Sequence, residues 1–261
     1  MKKVIDANFF QIPELEDYLK SNIGNMVVFP DFACMEAYKG NAIKNISKSI
    51  EIISRYPDHV IVLKGTRDVI KQTLVPNGYQ KLEDTDQTQG FKIFCLGVYI
   101  ALRGDVTTAN QILEKGKLAT NHFDKMQKDA ALVAKAIEER AKSFKPTETI
   151  DKIIKEILLL TALLFKKHPD VYEMPQTNQV PNSYIFRFAV CAYLLMIRWI
   201  SDGGIGNVGL DKLRNDTVDM NYVAYATFYD GLLTNDKKMM EIYQEACFIL
   251  ENTFNTKPGG G

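Results

Sequence analysis

Short apolar runs that end in an acidic residue occur near both ends of this chain. The run V-I-D ends at Asp6, and the run L-L-T-N-D ends at Asp236. Short apolar segments bounded by polar residues are typical of buried strands in a parallel sheet. Open α/β sheets bind their ligands at the carboxyl ends of the strands. Acids at these two positions are therefore well placed for chemistry.

The middle of the chain has a different pattern. Two more strand-like runs occupy residues 25–29 and 59–63, and the segment 80–90 is polar and resembles a loop. From there to about residue 167, apolar residues recur every three or four positions, as they do on one face of a helix. Strands at both ends with a helical block between them predict one α/β domain with a central, mostly parallel sheet and a large helical insertion.

The predicted domain boundaries follow from this order of elements. We expect an α/β core at residues 1–75 and 180–254, in which the two pieces meet in space. The helical insertion occupies residues 76–179, and residues 255–261 form a flexible tail rich in glycine.

The composition limits the classes of function. Lys plus Arg and Asp plus Glu number 32 each, so nucleic acid would have to bind a local basic patch. The four cysteines have no Cys-x-x-Cys spacing and the three histidines are far apart, which disfavours a zinc site. The longest apolar runs are shorter than the ~20 residues of a membrane span. These features, with no signal-peptide pattern, predict a cytoplasmic protein with reduced thiols.

The stretch N-D-T-V-D-M-N-Y-V-A-Y-A-T-F-Y-D-G-L-L-T-N-D, residues 215–236, has carboxylates at both ends and almost no charge between them. Its spacing predicts a helix that Gly231 ends, followed by a short strand. Asp216 and Asp219 fall at the start of this helix, where either could instead be an N-cap. We expect Asp230 to fix the turn before the strand.

Four carboxylates should meet at one edge of this sheet. Asp6 and Asp236 follow strands, Glu36 lies on the helix after the second strand, and Asp219 begins the helix before the last strand. Clustered like charges are costly unless cations neutralise them. Oxygen ligands alone suit Mg²⁺ or Mn²⁺.

The same residues resemble the PIN-domain ribonucleases. The resemblance lies in V-I-D-A-N, in V-V-F-P followed by Glu36, and in D-M-N-Y-V-A-Y-A followed by D-G-L-L-T-N-D. The resemblance covers residues 1–70 and 183–252. The chain departs from the family in the long helical insertion between Glu36 and Asp219. The resemblance implies a PIN-like three-layer fold and metal-dependent endonucleolytic cleavage of RNA, of the kind found in toxins and defence effectors.

The chemistry expected of this cluster is hydrolysis of a phosphodiester by two cations held by carboxylates. Asp6 is the expected shared ligand, completed by Asp236, Asp219 and Glu36, with Asp216 as the alternative third acid. Further out, we expect Asn8 and Thr234 to orient the ligands, and Arg214, Lys237 and Lys238 to contact phosphates.

Other functions stay open from the sequence. The segment G-I-G-N-V-G, residues 204–209, matches a dinucleotide-binding pattern but follows a helix instead of a strand, so we interpret it as a loop. A nuclease of related fold could act on DNA flaps or single-stranded DNA. A third alternative is an inactive PIN-like protein whose helical insertion binds an inhibitory or regulatory partner. A homo-oligomer is compatible with each alternative.

Overall fold

The computed structural model describes residues 1–142, 149–203 and 209–256, with the backbone alone described over much of residues 125–141. Its centre is a sheet of parallel strands in the order β3-β2-β1-β4. Within it, Ile5 of β1 lies opposite Leu233 of β4, so the two ends of the chain form one sheet. The α/β prediction is confirmed at this level. The strands are β1 (Lys2–Ile5), β2 (Met26–Phe29), β3 (Val60–Val62) and β4 (Gly231–Leu233).

Four helices accompany the first three strands. Pro13 occupies the first turn of α1, where its missing N–H costs nothing. The side chain of Asn41 accepts a hydrogen bond from the backbone N–H of Lys44 and so caps α3. The helices are α1 (Pro13–Ser21), α2 (Asp31–Tyr38), α3 (Ala42–Ile50) and α4 (Thr66–Thr73).

Three long helices make up the central block: α5 (Thr85–Leu102), α6 (Val106–Ala141) and α7 (Ile150–Lys167). Helix α5 begins inside the segment 80–90, which we predicted as a loop, and that prediction was wrong. The carboxylate of Asp84 accepts a hydrogen bond from the backbone N–H of Gln87 and caps α5, so the polar residues belong to the first turn. Helix α5 packs on β3, and α6 packs on α2 and α9.

The C-terminal part contains α8 (Tyr184–Ser201), α9 (Leu210–Ala226) and α10 (Lys237–Phe254). Helix α8 is long and apolar enough to cross a membrane, but 61% of its residues are buried inside the fold, as in the core helix of a globular domain. The carboxylate of Asp230 accepts a hydrogen bond from the backbone N–H of Lys2 at 2.6 Å, so this acid joins the start of β4 to β1 and has a structural role.

The position of α9 corrects two predictions. The helix begins at Leu210, with Gly209 as its N-cap, so Asp216 and Asp219 lie well inside it and cap nothing. It ends at Ala226, five residues before the glycine at 231 that we expected to end it. The apolar stripe extends one turn further upstream than we inferred, because Leu213 is fully buried. The predicted loop at 204–208 and the last residues of the tail, 257–261, lie outside the described residues.

Candidate functional site

The strands β1 and β4 end side by side, and a threonine joins the acids that follow them. The hydroxyl of Thr234 donates a hydrogen bond to Oδ2 of Asp6 at 2.9 Å and accepts one from the backbone N–H of Asp236 at 3.0 Å. Parallel pairing places both acids at the carboxyl edge of the sheet. Thr234 therefore holds the Asp6 carboxylate directly and fixes the backbone of Asp236 beside it.

Asp236 also begins a helix. Its Oδ1 accepts a hydrogen bond from the backbone N–H of Met239 at 3.0 Å, which caps α10. The other oxygen, Oδ2, has no hydrogen bond within the described part of the chain. Oδ1 of Asp236 thus stabilises the start of α10, while Oδ2 has no hydrogen-bond partner among the described residues.

Glu36 lies in the last turn of α2 and is held by a residue that the sequence did not indicate. The hydroxyl of Tyr222 donates a hydrogen bond to Oε2 of Glu36 at 2.5 Å. Tyr222 is fully buried and lies on α9 three residues after Asp219, hence on the same helix face. The three-residue spacing from Asp219 was the one feature of the sequence that could have indicated Tyr222 as a site residue. Nothing in the sequence links Tyr222 to a residue on α2.

Asp219 points from α9 towards the other acids. Burial, followed by the charge of Asp6, raises its pKa to about 8, while the charge of Lys238 acts in the opposite direction. Glu36 raises the pKa of Asp219 further. The structure describes no hydrogen bond or ion pair for this carboxylate among residues 1–142, 149–203 and 209–256. The surroundings of Asp219 therefore favour its protonated form far more than water does.

The remaining acids lie in the same electrostatic field. Burial raises the pKa of Asp6, the Thr234 hydrogen bond lowers it, and the charge of Asp236 raises it again. Burial likewise raises the pKa of Glu36, with the Tyr222 hydrogen bond lowering it and the charge of Asp6 raising it. The charge of Asp6 thus acts on Glu36 and on Asp219, and the charge of Asp236 acts on Asp6.

Asp216, the alternative third acid, is already fully engaged. Its carboxylate is buried and accepts a hydrogen bond from the indole N–H of Trp199 at 3.0 Å. It also forms ion pairs with Lys238 at 2.6 Å and Lys212 at 3.2 Å. Asp216 therefore neutralises cations of the protein, whereas Asp219 has none bound to it among the described residues.

The predicted substrate-binding cations have different surroundings. Lys238 is paired with Asp216, and Arg214 forms an ion pair with Asp211 at 3.3 Å. The charge of Arg214 also lowers the pKa of Glu36, so this arginine lies near the acids. Lys237 is exposed at the first position of α10.

Asn8, the other residue expected to orient the acids, lies in a short turn directly after β1. Its backbone N–H donates to Oδ1 of Asp6 at 3.4 Å, and its side chain is exposed. The side chain of Asn8 also lowers the pKa of Asp6 through a hydrogen bond. Asn8 therefore contacts the acid that it was predicted to orient.

A second hydrogen-bond network, which the sequence did not reveal, joins the same two helices. Asp31, at the start of α2, accepts hydrogen bonds from the backbone N–H and the hydroxyl of Thr66 at 2.7 and 2.8 Å. The Thr66 hydroxyl also hydrogen-bonds the hydroxyl of Tyr225 at 2.8 Å. Tyr225 follows Tyr222 by one turn of α9, so two tyrosines attach α9 to the surroundings of α2.

The oxygen atoms of these acids are of the type that binds divalent cations, but the side chains are not yet close enough together to do so. Within the described residues, no three His, Cys, Asp or Glu side chains are already gathered closely enough to hold a metal ion. The protein's own donors hold Asp6, Glu36 and Asp236, each through at least one oxygen. A cation would draw in Oε1 of Glu36, Oδ2 of Asp236 and both oxygens of Asp219. Such an all-oxygen set is the kind that Mg²⁺ and Mn²⁺ prefer.

Comparison of the chain with models of known protein families, with curated proteins and with solved structures found no match. The resemblance to PIN-domain ribonucleases therefore depends only on the residues quoted above. The geometry of the site has to support any functional assignment by itself.

Proposed function

We propose that this chain is a divalent-metal-dependent nuclease, and that it cleaves RNA internally. The observation that carries the proposal is the meeting of Asp6 and Asp236 through Thr234 at the carboxyl edge of the sheet. Burial and the charges of Asp6 and Glu36 raise the pKa of Asp219, which has no hydrogen bond among the described residues. A half-buried carboxylate that no donor of the described residues contacts is unfavourable in a domain that only has to fold. Strongly perturbed carboxylates at the ligand-binding edge of a sheet are typical of functional sites.

Each acid has a distinct role in this proposal. Asp6, whose charge acts on both Glu36 and Asp219, serves as the shared ligand, while Asp236, Asp219 and Glu36 complete the two sites. Divalent ions bound there would supply an activated water and stabilise the leaving oxygen of a phosphodiester. Asp219 would hold a divalent ion as a carboxylate, and its proton would then pass to the solvent. Thr234 and Tyr222 keep Asp6 and Glu36 in place throughout.

We assign Asp219, and not Asp216, as the third acidic ligand. Both carboxylate oxygens of Asp216 are engaged by Trp199, Lys212 and Lys238. Removing Asp216 from those partners would leave two lysines and an indole N–H unpaired. Asp219 has no such partner among the described residues, so it can turn towards a cation without breaking a bond.

RNA is the proposed substrate, following the resemblance to PIN-domain ribonucleases, with a PIN-like fold as the corresponding structural proposal. A toxin or defence effector is the setting that such an activity suggests. The alternative, a nuclease of related fold that cleaves DNA flaps or single-stranded DNA, would use the same metal chemistry on a different substrate. Cleavage of labelled single-stranded RNA and DNA with Mg²⁺ or Mn²⁺, each with and without chelator, separates the two. Divalent-dependent cleavage of RNA in preference to DNA supports the proposal.

An interaction protein is the second candidate, favoured by the surface of the helical block. Large apolar side chains are exposed on α5 and α6, with Ile93 75%, Leu96 55% and Val106 70% exposed. Clusters of exposed apolar residues often mark sites where proteins associate. Absence of turnover with every divalent ion, together with loss of a protein complex on Ile93→Asp, would favour this candidate over the nuclease.

A further inference from the structure

An apolar cavity lies between the sheet and the helical block. It is lined by residues of β2, β3, α2, α3 and α5, with one residue of α6, and its volume is about 420 Å³. Small-molecule sites in proteins have volumes of about 300 to 1,000 Å³ and mostly apolar walls with a few polar groups. Asp6, Glu36, Asp219 and Asp236 do not line this cavity, so it is separate from the candidate functional site.

Aromatic rings form a large part of the cavity wall. The ring centre of Phe91 on α5 lies 6.3 Å from that of Phe29 on β2 and 6.0 Å from that of Phe94. Rings at these distances contact one another edge-on or tilted and can accept a further aromatic ring. Gly90 leaves space in the wall, because a side-chain carbon placed there would meet no atom outside its own stretch of α5 within 4 Å.

The hydroxyl of Tyr38 is an unsatisfied polar group in the same wall. Tyr38 is only 7% exposed, and its hydroxyl has no hydrogen-bond partner in the part of the chain that the structure describes. Buried tyrosine hydroxyls usually have a partner, because burial without one is unfavourable. Burial raises the pKa of this hydroxyl and the nearby Cys34 thiol raises it further, and Cys34 also lines the cavity. A ligand in the cavity can supply the missing acceptor.

A lysine of α6 lines the cavity as well. Lys115 has no ion pair with a carboxylate among residues 1–142, 149–203 and 209–256. Burial raises the pKa of the Cys34 thiol, the charge of Asp31 raises it further, and the charge of Lys115 lowers it. Lys115 therefore acts on the cavity wall. Asp31 lines only a neighbouring cavity, and its carboxylate already accepts three hydrogen bonds from the protein.

We infer that this cavity binds a small aromatic monocarboxylate. The ring of the ligand packs against Phe29, Phe91 and Phe94. Its carboxylate accepts hydrogen bonds from the Tyr38 hydroxyl and the Lys115 ammonium group, and bonds to an ionised acceptor are the stronger kind. Because the four acids lie outside this cavity, the inference goes beyond the proposed nuclease and does not depend on it.

An aromatic amine is the alternative ligand, because one acid also lines the cavity. Asp86 is exposed in the first turn of α5, and its charge is not among those that act on Cys34 or Tyr38. The unsatisfied hydroxyl and the unpaired lysine both need an acceptor, which an ammonium group cannot provide. A carboxylate is therefore the favoured ligand group.

The test compares three probes that share one ring system and differ in charge: naphthoate, naphthylmethanol and naphthylmethylamine. Calorimetry and thermal melts of the full chain measure their binding. Naphthoate should bind most tightly and raise the melting temperature, as a ligand of the folded state does. Tight binding of naphthylmethylamine in preference to naphthoate, or no binding of naphthoate, overturns the inference.

Two substitutions remove the polar contacts one at a time. Tyr38→Phe keeps the ring and loses the donor, so naphthoate affinity should fall about 10-fold. Lys115→Gln should lower naphthoate affinity about 3- to 10-fold and leave the affinity for naphthylmethanol unchanged. Lys92→Gln is the control, because Lys92 is exposed on α5 outside the cavity, and it should bind naphthoate like the native chain.

Filling the cavity tests its position. Gly90→Leu should abolish binding of naphthoate and naphthylmethanol, and it should melt at or above the native temperature because leucine favours a helix more than glycine does. Gly97→Ala, on the same helix outside the cavity, should keep native binding. Native naphthoate affinity in both Gly90→Leu and Tyr38→Phe overturns the inference. If Gly90→Leu fails to fold, native affinity in Tyr38→Phe and Lys115→Gln overturns it equally. None of these results depends on whether the protein cleaves RNA.

Discussion

The hydroxyl of Tyr222 donates a hydrogen bond to Oε2 of Glu36 across 2.5 Å and so joins helix α9 to helix α2. These two helices carry two of the four acids of the site, Asp219 and Glu36. A buried tyrosine thus fixes one acid directly and lies one helical turn from the other. This contact and the Asp31–Thr66–Tyr225 network both attach α9 to the surroundings of α2.

Replacing Tyr222 with Phe tests that relationship. The variant leaves the Glu36 carboxylate without its donor, which should lower the free energy of unfolding by roughly 1 to 3 kcal/mol. Metal affinity or cleavage should fall about 10- to 100-fold, as when other residues that orient metal ligands are removed. Mn²⁺ titration and cleavage kinetics measure both effects. Tyr229→Phe, in the turn after α9, is the control and should keep native Mn²⁺ affinity.

The protonation of Asp219 gives a pH dependence with a definite sign. Its pKa of about 8 in the folded chain lies above the ordinary value of 3.8. Between these two values the folded chain keeps a proton that the unfolded chain releases. In chelator, the free energy of unfolding should therefore fall as pH rises through this window. Asp219→Asn lacks this proton, so its stability relative to the native chain should increase with pH.

Denaturant titrations in chelator, at a series of pH values, measure this difference. Parallel pH profiles for the native chain and Asp219→Asn would contradict the assigned electrostatics. Divalent binding should in addition release a proton near neutral pH, because the cation takes the place of the proton on Asp219. Calorimetry in buffers of different ionisation enthalpy detects that release.

Asp236 has two roles, and two substitutions separate them. Asn caps a helix about as well as Asp, so Asp236→Asn should melt like the native chain in chelator yet lose at least ~100-fold in cleavage. Asp236→Ala should additionally lose the cap of α10, at about 0.5 to 2 kcal/mol whether or not metal is present. Thermal melts with and without Mn²⁺ distinguish them. Equal cleavage by Asp236→Asn and the native chain would remove Asp236 from the site.

Asp216 should behave as a structural acid. Asp216→Ala leaves Lys238 and the buried indole N–H of Trp199 without their acceptor, so we expect a loss of roughly 1 to 3 kcal/mol that does not depend on metal. Residual folded protein should still cleave within a few fold of the native rate. If Asp216→Ala lost cleavage in a stably folded chain while Asp219→Asn kept it, the two assignments would have to be exchanged.

The strands, and the joining of the N- and C-terminal segments in one sheet, could be predicted from the sequence because short apolar runs indicate buried strands. Parallel strands share one carboxyl edge, so Asp6 and Asp236 were expected together once both runs were taken as strands. The start of α9 could not be placed. The residues before Asp216 are mostly polar, and only the packed structure reveals that Leu213 belongs to the core.

Contacts between distant segments were beyond sequence reasoning. The pairing of Tyr222 with Glu36 joins residues far apart in the chain, and no local pattern predicts it. The same is true of Asp216, which the sequence could not distinguish from Asp219 because both lie on one helix at adjacent turns. Their difference arises from Trp199 and Lys238, which come from neighbouring helices.

The insertion should contribute no catalytic acid. Asp151 is exposed in the first turn of α7, so Asp151→Asn should keep the cleavage rate within a few fold of native. Loss of turnover in this variant, with an unchanged melting temperature, would show that the helical block supplies part of the site.

The most direct test of the central claim is the cleavage of labelled single-stranded RNA by the native chain and Asp219→Asn, measured in Mn²⁺ and in excess chelator. The account predicts cleavage by the native chain in Mn²⁺ alone, and at least ~100-fold slower cleavage by the variant, which should still fold. Cleavage that persists in chelator, or that proceeds equally in the variant, would contradict a metal site built on these acids.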